Sequence, residues 1–345
     1  MFTRIIAPSP EATIAAGIGF PIVCIGLVSG RFHAKRHMGS SILIDDWLTI
    51  PALVFTAAMG ISLVVGVAYR GLGYPTPLPP DPHHSLTFIA PQTVLTRKIE
   101  HLLLLFHFPA LTCSKLSVLF FYRRVFCPPW RRFLHYFFIF LIAVCILWGI
   151  GFFISGFFIC GTHFSAFWSN VMTLRRHCSQ LHNQEVYMVT SDFVIDAVIF
   201  FIPIPLVLRL KLSLGRKFAV LVVFLFAAIT VAVSIARMMI FLQAIHGLKV
   251  KYSSTGFDNQ IITAGLYWTT LETGFSLISV CLPPLYTLLR KSCRDKCIRN
   301  GHFDEENGII VSENSSNGPS DIISKPDELV SPVMEAKNAE MLQQQ

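Results

Sequence analysis

Residues 134–159 read LHYFFIFLIAVCILWGIGFFISGFFI, a run with one His and no Asp, Glu, Lys or Arg. The hydrocarbon core of a bilayer is about 30 Å thick and takes roughly 20 mainly apolar residues per helix, so this segment is long enough to cross it. Outward from it, six more windows meet the same requirement, at 12–29, 47–69, 99–122, 186–208, 218–242 and 261–289. The composition agrees: mean hydropathy is +0.59, 53% of residues are hydrophobic and 14% charged. That leaves too little polar surface for a soluble globule of 345 residues. The expected fold is an all-α membrane protein, a bundle of seven transmembrane helices.

Cytoplasmic loops collect Lys and Arg, which orients the bundle. The first, third and fifth loops hold Arg31, Lys35 and Arg36, then Arg123, Arg124, Arg131 and Arg132, then Arg209, Lys211, Arg216 and Lys217. Arg290, Lys291, Arg294, Lys296 and Arg299 follow the last window. The opposite side carries fewer cations over longer segments, among them Arg70, Arg97, Lys98, Arg175 and Arg176. The N-terminus is therefore expected outside and the C-terminus in the cytosol, in a multi-pass protein. The net charge of +8 reads as topology and attraction to anionic inner-leaflet lipids, with no nucleic-acid partner.

The predicted organisation is a short extracellular N-terminus (1–11), a membrane domain (12–290) and a tail (291–345). After about Arg299 the chain turns acidic and rich in Ser, Asn and Gly, a composition that cannot bury a core, so the tail is expected to be disordered and cytosolic. Cys24, Cys113, Cys145 and Cys281 fall within spans, where Cys acts as a small apolar residue. Cys160 and Cys178 share an outer loop in an oxidising compartment, which predicts a disulfide. Cys293 and Cys297, just past the last span among basic residues, are candidates for S-palmitoylation or idle thiols.

Five charged residues lie inside spans: Lys115, Asp192, Asp196, Arg237 and Glu272. At roughly 3 kcal/mol each near the bilayer centre they must pair, protonate or reach water. Asp192 and Asp196, four residues apart, share a helix face, and Arg237 lies at matching depth on the next span, so an ion pair between them is predicted. Lys115, in the cytosolic half of its span, is expected to snorkel toward that interface. The set reads either as a bundle-locking polar network or as a ligand or ion site between the third, fifth, sixth and seventh spans.

Asp45 and Asp46 before Trp47 read as helix-start carboxylates beside an interfacial Trp. Pro203 and Pro205 should kink the fifth span. The scattered histidines lack the paired spacing of a metal site, and neither metal nor cofactor is expected.

In combination, the sequence resembles the fungal rhodopsin-domain family of seven-span membrane proteins, which includes pathogenicity-related receptor-like proteins of filamentous fungi. The resemblance is carried by Asp45, Asp46 and Trp47; Gly71 and Gly73; Lys115 and Ser117; and Tyr122, Arg123, Arg124 and Phe126. It continues through Cys160, Phe167, Trp168 and Cys178; Asp192, Asp196, Pro203 and Pro205; Lys217 and Arg237; and Trp268, Glu272, Cys281 and Pro283. It implies a receptor-like protein of the plasma membrane that senses an unknown small-molecule or surface ligand, rather than an enzyme. Retinal is not implied, because a Schiff base in the seventh helix needs a Lys and 261–289 holds none. Tyr122, Arg123, Arg124 and Lys217 are the candidate cytosolic coupling residues, with a G-protein α subunit as partner. Transport and membrane-embedded catalysis by intramembrane carboxylates are the alternatives.

Overall fold

The computed structural model describes residues 8–37, 39, 41–75, 90–126, 132–169, 171–178, 181–202, 204, 225–242, 258–300, 302–304 and 309–311. Residues 1–7, Pro203, Pro205, Lys217, residues 218–224 and the tail after 311, on which several expectations fell, lie outside the described residues.

Nine helices carry the described chain: α1 (Pro10–His37), α2 (Ile44–Trp47), α3 (Thr49–Ala68), α4 (Pro91–Phe126), α5 (Arg132–Phe157), α6 (Val171–His177), α7 (Leu181–Phe201), α8 (Leu225–Leu242) and α9 (Asp258–Asn300). A 3-10 turn (Phe164–Trp168) and one antiparallel pair of short strands, β1 (His302–Asp304) and β2 (Ile309–Val311), complete it. The protein is an all-α membrane bundle. Among the described residues, five segments are long and apolar enough to cross a membrane: Pro10–His37, Ile44–Ala68, Pro91–Val125, Arg132–Phe157 and Leu225–Leu242. Helices α7 and α9 coincide with the other two windows and carry Asp192, Asp196 and Glu272.

Several boundaries differ from expectation, among them the end of α1, which runs to His37 rather than 29. Helix α4 begins at Pro91, a residue suited to a first helical turn, and an i,i+3 pair between Arg97 and Glu100 (3.1 Å) extends the helix beyond the apolar window. Helix α9 does not stop near 289 but runs through Asn300, so the tail expected to be disordered from 291 opens as helix and is followed by the strand pair. The basic residues there favour a helix C-terminus. Cys293 and Cys297 lie on this extension.

Packing is set by small residues and outward-facing apolar ones. A Cβ on Gly17 would lie 2.8 Å from the Gly60 carbonyl, so α1 and α3 approach as closely as their backbones allow. Gly73, at φ 79°, turns the chain after α3 and donates its N–H to Thr263 Oγ1 of α9 (2.9 Å). Met59, Leu63, Leu103 and Leu266 fill the space between α3, α4 and α9, while Leu119, Phe138 and Ile142 join α4 to α5. On the outside, α5 presents Phe140, Leu147, Ile150 and Ile154, an apolar surface that suits lipid.

Candidate functional site

The in-span charges converge. Lys115 of α4 reaches Asp192 Oδ1 at 2.6 Å and Asp196 Oδ1 at 2.7 Å on α7. Arg237 of α8 grips Asp192 Oδ2 through Nη2 (2.5 Å) and lies against Glu272 Oε2 of α9 through Nη1 (2.8 Å). Ser234, one turn from Arg237, hydrogen-bonds Asp196 Oδ2 (2.9 Å) and Glu272 Oε1. Trp148 of α5 lays its ring 5.4 Å from the Lys115 ammonium and donates its indole N–H to Ser191 Oγ (2.8 Å). Asp192, Arg237 and Glu272 are fully enclosed.

Lys115 does not snorkel. Helical side chains lean toward their helix N-terminus, which for α4 is the end away from Arg124, so the ammonium is directed back into the bundle and meets the α7 carboxylates.

His107 completes the network. Arg237 Nη1 donates to His107 Nε2 (2.7 Å), which places the ring proton on Nδ1, from where it is donated to Thr273 Oγ1 (3.0 Å). Thr273 in turn donates to the Thr269 carbonyl (2.9 Å), while the Arg237 Nε is buried with no hydrogen-bond partner among the described residues. His107, Asp192 and Glu272 have ligand atoms within 4.8 Å of one another, a spacing a metal ion could use. The Arg237 guanidinium contacts all three groups and takes the place of that cation.

A second buried network sits at the opposite end from the disulfide. Arg31 of α1 pairs with Asp46 Oδ1 through Nε and with Asp45 Oδ2 through Nη2, both at 2.8 Å, and donates Nη1 to the Val280 carbonyl of α9 (2.5 Å). Lys35 binds Asp46 Oδ2 at 2.6 Å. Arg124 at the end of α4 holds Asp45 with both terminal nitrogens, at 3.1 and 3.2 Å. Asp46 also caps α2 by accepting the Leu43 N–H (2.9 Å). The helix-start role expected of this acidic pair is therefore only part of what it does.

At the disulfide end, Cys160 and Cys178 are bonded, with Cα atoms 4.4 Å apart. Ala166, Phe167 and Leu174 pack around the bridge. The His101 ring of α4 lies 4.9 Å from that of Phe167, and Lys98 lies 5.6 Å from the centre of Trp168, so the loop is seated on α4.

The fungal rhodopsin domain matches residues 30–291. The chain belongs to the fungal rhodopsin-domain family. It is 27% identical over 296 residues to polyenoic acids biosynthesis gene cluster protein Ba17b of Metarhizium anisopliae, an alignment spanning 81% of this chain and 73% of that protein. No solved structure matches it.

Within this fungal rhodopsin domain, the structure brings Lys115, Asp192, Asp196, Arg237 and Glu272 together in one network. The candidate coupling residues fare differently. Tyr122 is buried against Leu119 and Phe138 and offers no surface for a partner, Arg124 is committed to Asp45, and Arg123 is half-buried. Sequence reasoning passed over Ser234, set His107 aside among the scattered histidines and read Arg31 only as a loop cation. The i,i+3 spacing of Ser234 and Arg237 was the available signal for one of them.

Proposed function

We propose that this fungal rhodopsin-domain protein is a receptor of the plasma membrane that senses a small-molecule or surface ligand without retinal and signals through a G-protein α subunit. The observation that carries the reading is the enclosed ion chain running Lys115–Asp192–Arg237–Glu272 across α4, α7, α8 and α9. A helix in this chain cannot shift gradually: its ion pairs either hold or re-form elsewhere, which makes the bundle a two-state element that a ligand can bias. The disulfide supports placing that end outside, and the excess of Lys and Arg supports placing the Asp45 end in the cytosol. The only lysine in the ion chain is held between two carboxylates rather than free to form a Schiff base. Anionic inner-leaflet lipids are the expected partners of the basic α9 extension.

The test is association of the purified full-length chain, in lipid nanodiscs, with the G-protein α subunit of its host. Binding released by guanine nucleotide is expected. No association, with protein that unfolds cooperatively and keeps its disulfide, overturns the coupling.

The name of the Metarhizium anisopliae protein, which places it in a biosynthesis gene cluster, favours membrane-embedded catalysis as the second reading. Carboxylates engaged by Lys115 and Arg237 are poor general acids, which weighs against it. Glu272→Gln tests this second reading: a catalytic acid would lose turnover, whereas a structural lock would lose expression or thermal stability.

A further inference from the structure

The buried Ser234 hydroxyl of α8 has more acceptors around it than it has hydrogens. Its Oγ meets Asp196 Oδ2 of α7 at 2.9 Å, Glu272 Oε1 of α9, and the Thr230 carbonyl of its own helix at 3.0 Å. A serine hydroxyl carries one hydrogen, and ionised carboxylates and carbonyls can only accept. With Asp196 and Glu272 both ionised, one carboxylate oxygen would face the hydroxyl oxygen with no hydrogen between them. A hydrogen on one of the two carboxyl groups resolves this: Ser234 accepts from that group and donates to the other, with the Thr230 carbonyl taking the weaker share of the donation.

Charge balance requires the same hydrogen. Facing this position are Lys115 and His107 from α4, Cys145 from α5, Asp192 and Asp196 from α7, Arg237 from α8 and Glu272 from α9. His107 receives a hydrogen from Arg237 Nη1 at Nε2, so its ring is neutral, and Cys145 as a thiol adds no positive charge. Among the described residues, three carboxyl groups therefore stand against two cations. A leftover anion at this depth is costly, and one bound proton removes it. Glu272 is the group the cations hold least. Asp192 is bonded by Lys115 and Arg237 and Asp196 by Lys115 at 2.7 Å, whereas Glu272 Oε2, fully buried, lies 2.8 Å from Arg237 without a directed hydrogen bond. An oxygen left so is less costly on a neutral carboxyl group than on a carboxylate.

We infer that Asp196 and Glu272 form a proton-binding site, one proton being seated on Glu272 and shared with Asp196 through Ser234. Sharing needs no outside partner. Glu272 Oε1 passes its hydrogen to Ser234 Oγ while Ser234 passes its own to Asp196 Oδ2, which leaves Glu272 ionised, Asp196 neutral and the serine as it was. Release of the proton from the site instead leaves two anions on one hydroxyl, one on α7 and one on α9. The paired and re-formed states of the bundle then differ by a proton, whatever the transducer.

The experiment records infrared difference spectra of the full-length protein in lipid nanodiscs, in H2O and D2O at neutral pH, where a protonated carboxyl group shows a C=O stretch apart from the carboxylate and amide bands. A D2O-sensitive band lost in Glu272→Gln is expected. Asp196→Asn should lose the same band although Glu272 is still present, because two carboxylates then face two cations, while Asp45→Asn in the other network should keep it. Ser234→Ala leaves the charge count unchanged, so the band should persist but move to higher frequency as the carboxyl group loses its acceptor. This variant removes a single oxygen and keeps the test readable if a carboxyl variant fails to fold. No such band in the wild type, its retention in Asp196→Asn, or an unmoved band in Ser234→Ala overturns the proposal. A band that appears only when sodium is replaced by choline gives the place to a sodium ion and overturns it equally. The assay contains no G protein, so its failure leaves the coupling measurement standing, and failure of coupling leaves the proton site standing.

Discussion

The two ion networks of this bundle are opposite in charge balance and in enclosure. In the mid-bundle network three carboxylates, Asp192, Asp196 and Glu272, face two cations, Lys115 and Arg237, and the side chains of Asp192 and Arg237 have no exposure. At the other end three cations, Arg31, Lys35 and Arg124, face Asp45 and Asp46, and Arg124 is 38% exposed. Both networks draw on α4 and α9, which makes these helices the rods along which a change at one could reach the other. Enclosure also sets redundancy: Asp192 is the bridging group between Lys115 and Arg237, whereas Asp45 and Asp46 share Arg31 and Lys35.

That asymmetry predicts the largest effect for Asp192→Asn. Removing the charge leaves two buried cations short of their common partner, and breaking a buried pair costs about 3–5 kcal/mol. Thermal or denaturant unfolding of the reconstituted protein should show most of that loss. Asp45→Asn should cost about half as much, because Asp46 still holds both Arg31 and Lys35. Equal losses from the two variants would erase the distinction between the networks.

How far the sequence discloses these networks follows from what each residue type signals on its own. Five charges inside apolar windows announce themselves by the cost of placing them in lipid, and depth along the spans is enough to match Arg237 with Asp192. Direction is harder to read, as Lys115 illustrates: its depth favours the near interface, but its Cβ vector points the other way. Arg31 counts as a loop cation until α1 is seen to extend to His37, which carries it into the bundle beside Asp45 and Asp46. His107 and Ser234 are uncharged and common in helices, so only the three-dimensional positions of Arg237 and Glu272 give them a role. The helical extension of α9 is hidden for a related reason, because a basic segment after a span reads equally as a solvated tail or as a favourable helix end.

Glu272→Gln sharpens the comparison at smaller amplitude. With both cations retained, it leaves two carboxylates against two cations, and the amide can still hydrogen-bond Ser234. One Glu272 oxygen, Oε2, has no well-directed hydrogen bond even though it lies 2.8 Å from Arg237, so less is lost there than at Asp192. The expected change is about 1 kcal/mol or less, measured in the same unfolding experiment. A loss as large as that of Asp192→Asn would mean that the network depends on three charged carboxylates rather than two.

The smallest effect on stability should come from Arg124→Ala, and it tests whether the second network acts as a latch. A pair this exposed is screened by water and salt and contributes less than about 1 kcal/mol. Arg124 nonetheless ties the end of α4 to α2 through Asp45, whose backbone carbonyl also accepts the Ser117 hydroxyl (2.5 Å). Releasing it should leave the melting temperature nearly unchanged while raising nucleotide-sensitive association with the G-protein α subunit, because the α4 end becomes free to move. Added salt should mimic the variant in the wild type, since it weakens the exposed Arg124 pair far more than the enclosed contacts of Asp192. Association that is unchanged by both the substitution and salt would make the Arg124–Asp45 contact a passive surface pair and leave the mid-bundle network as the sole switch.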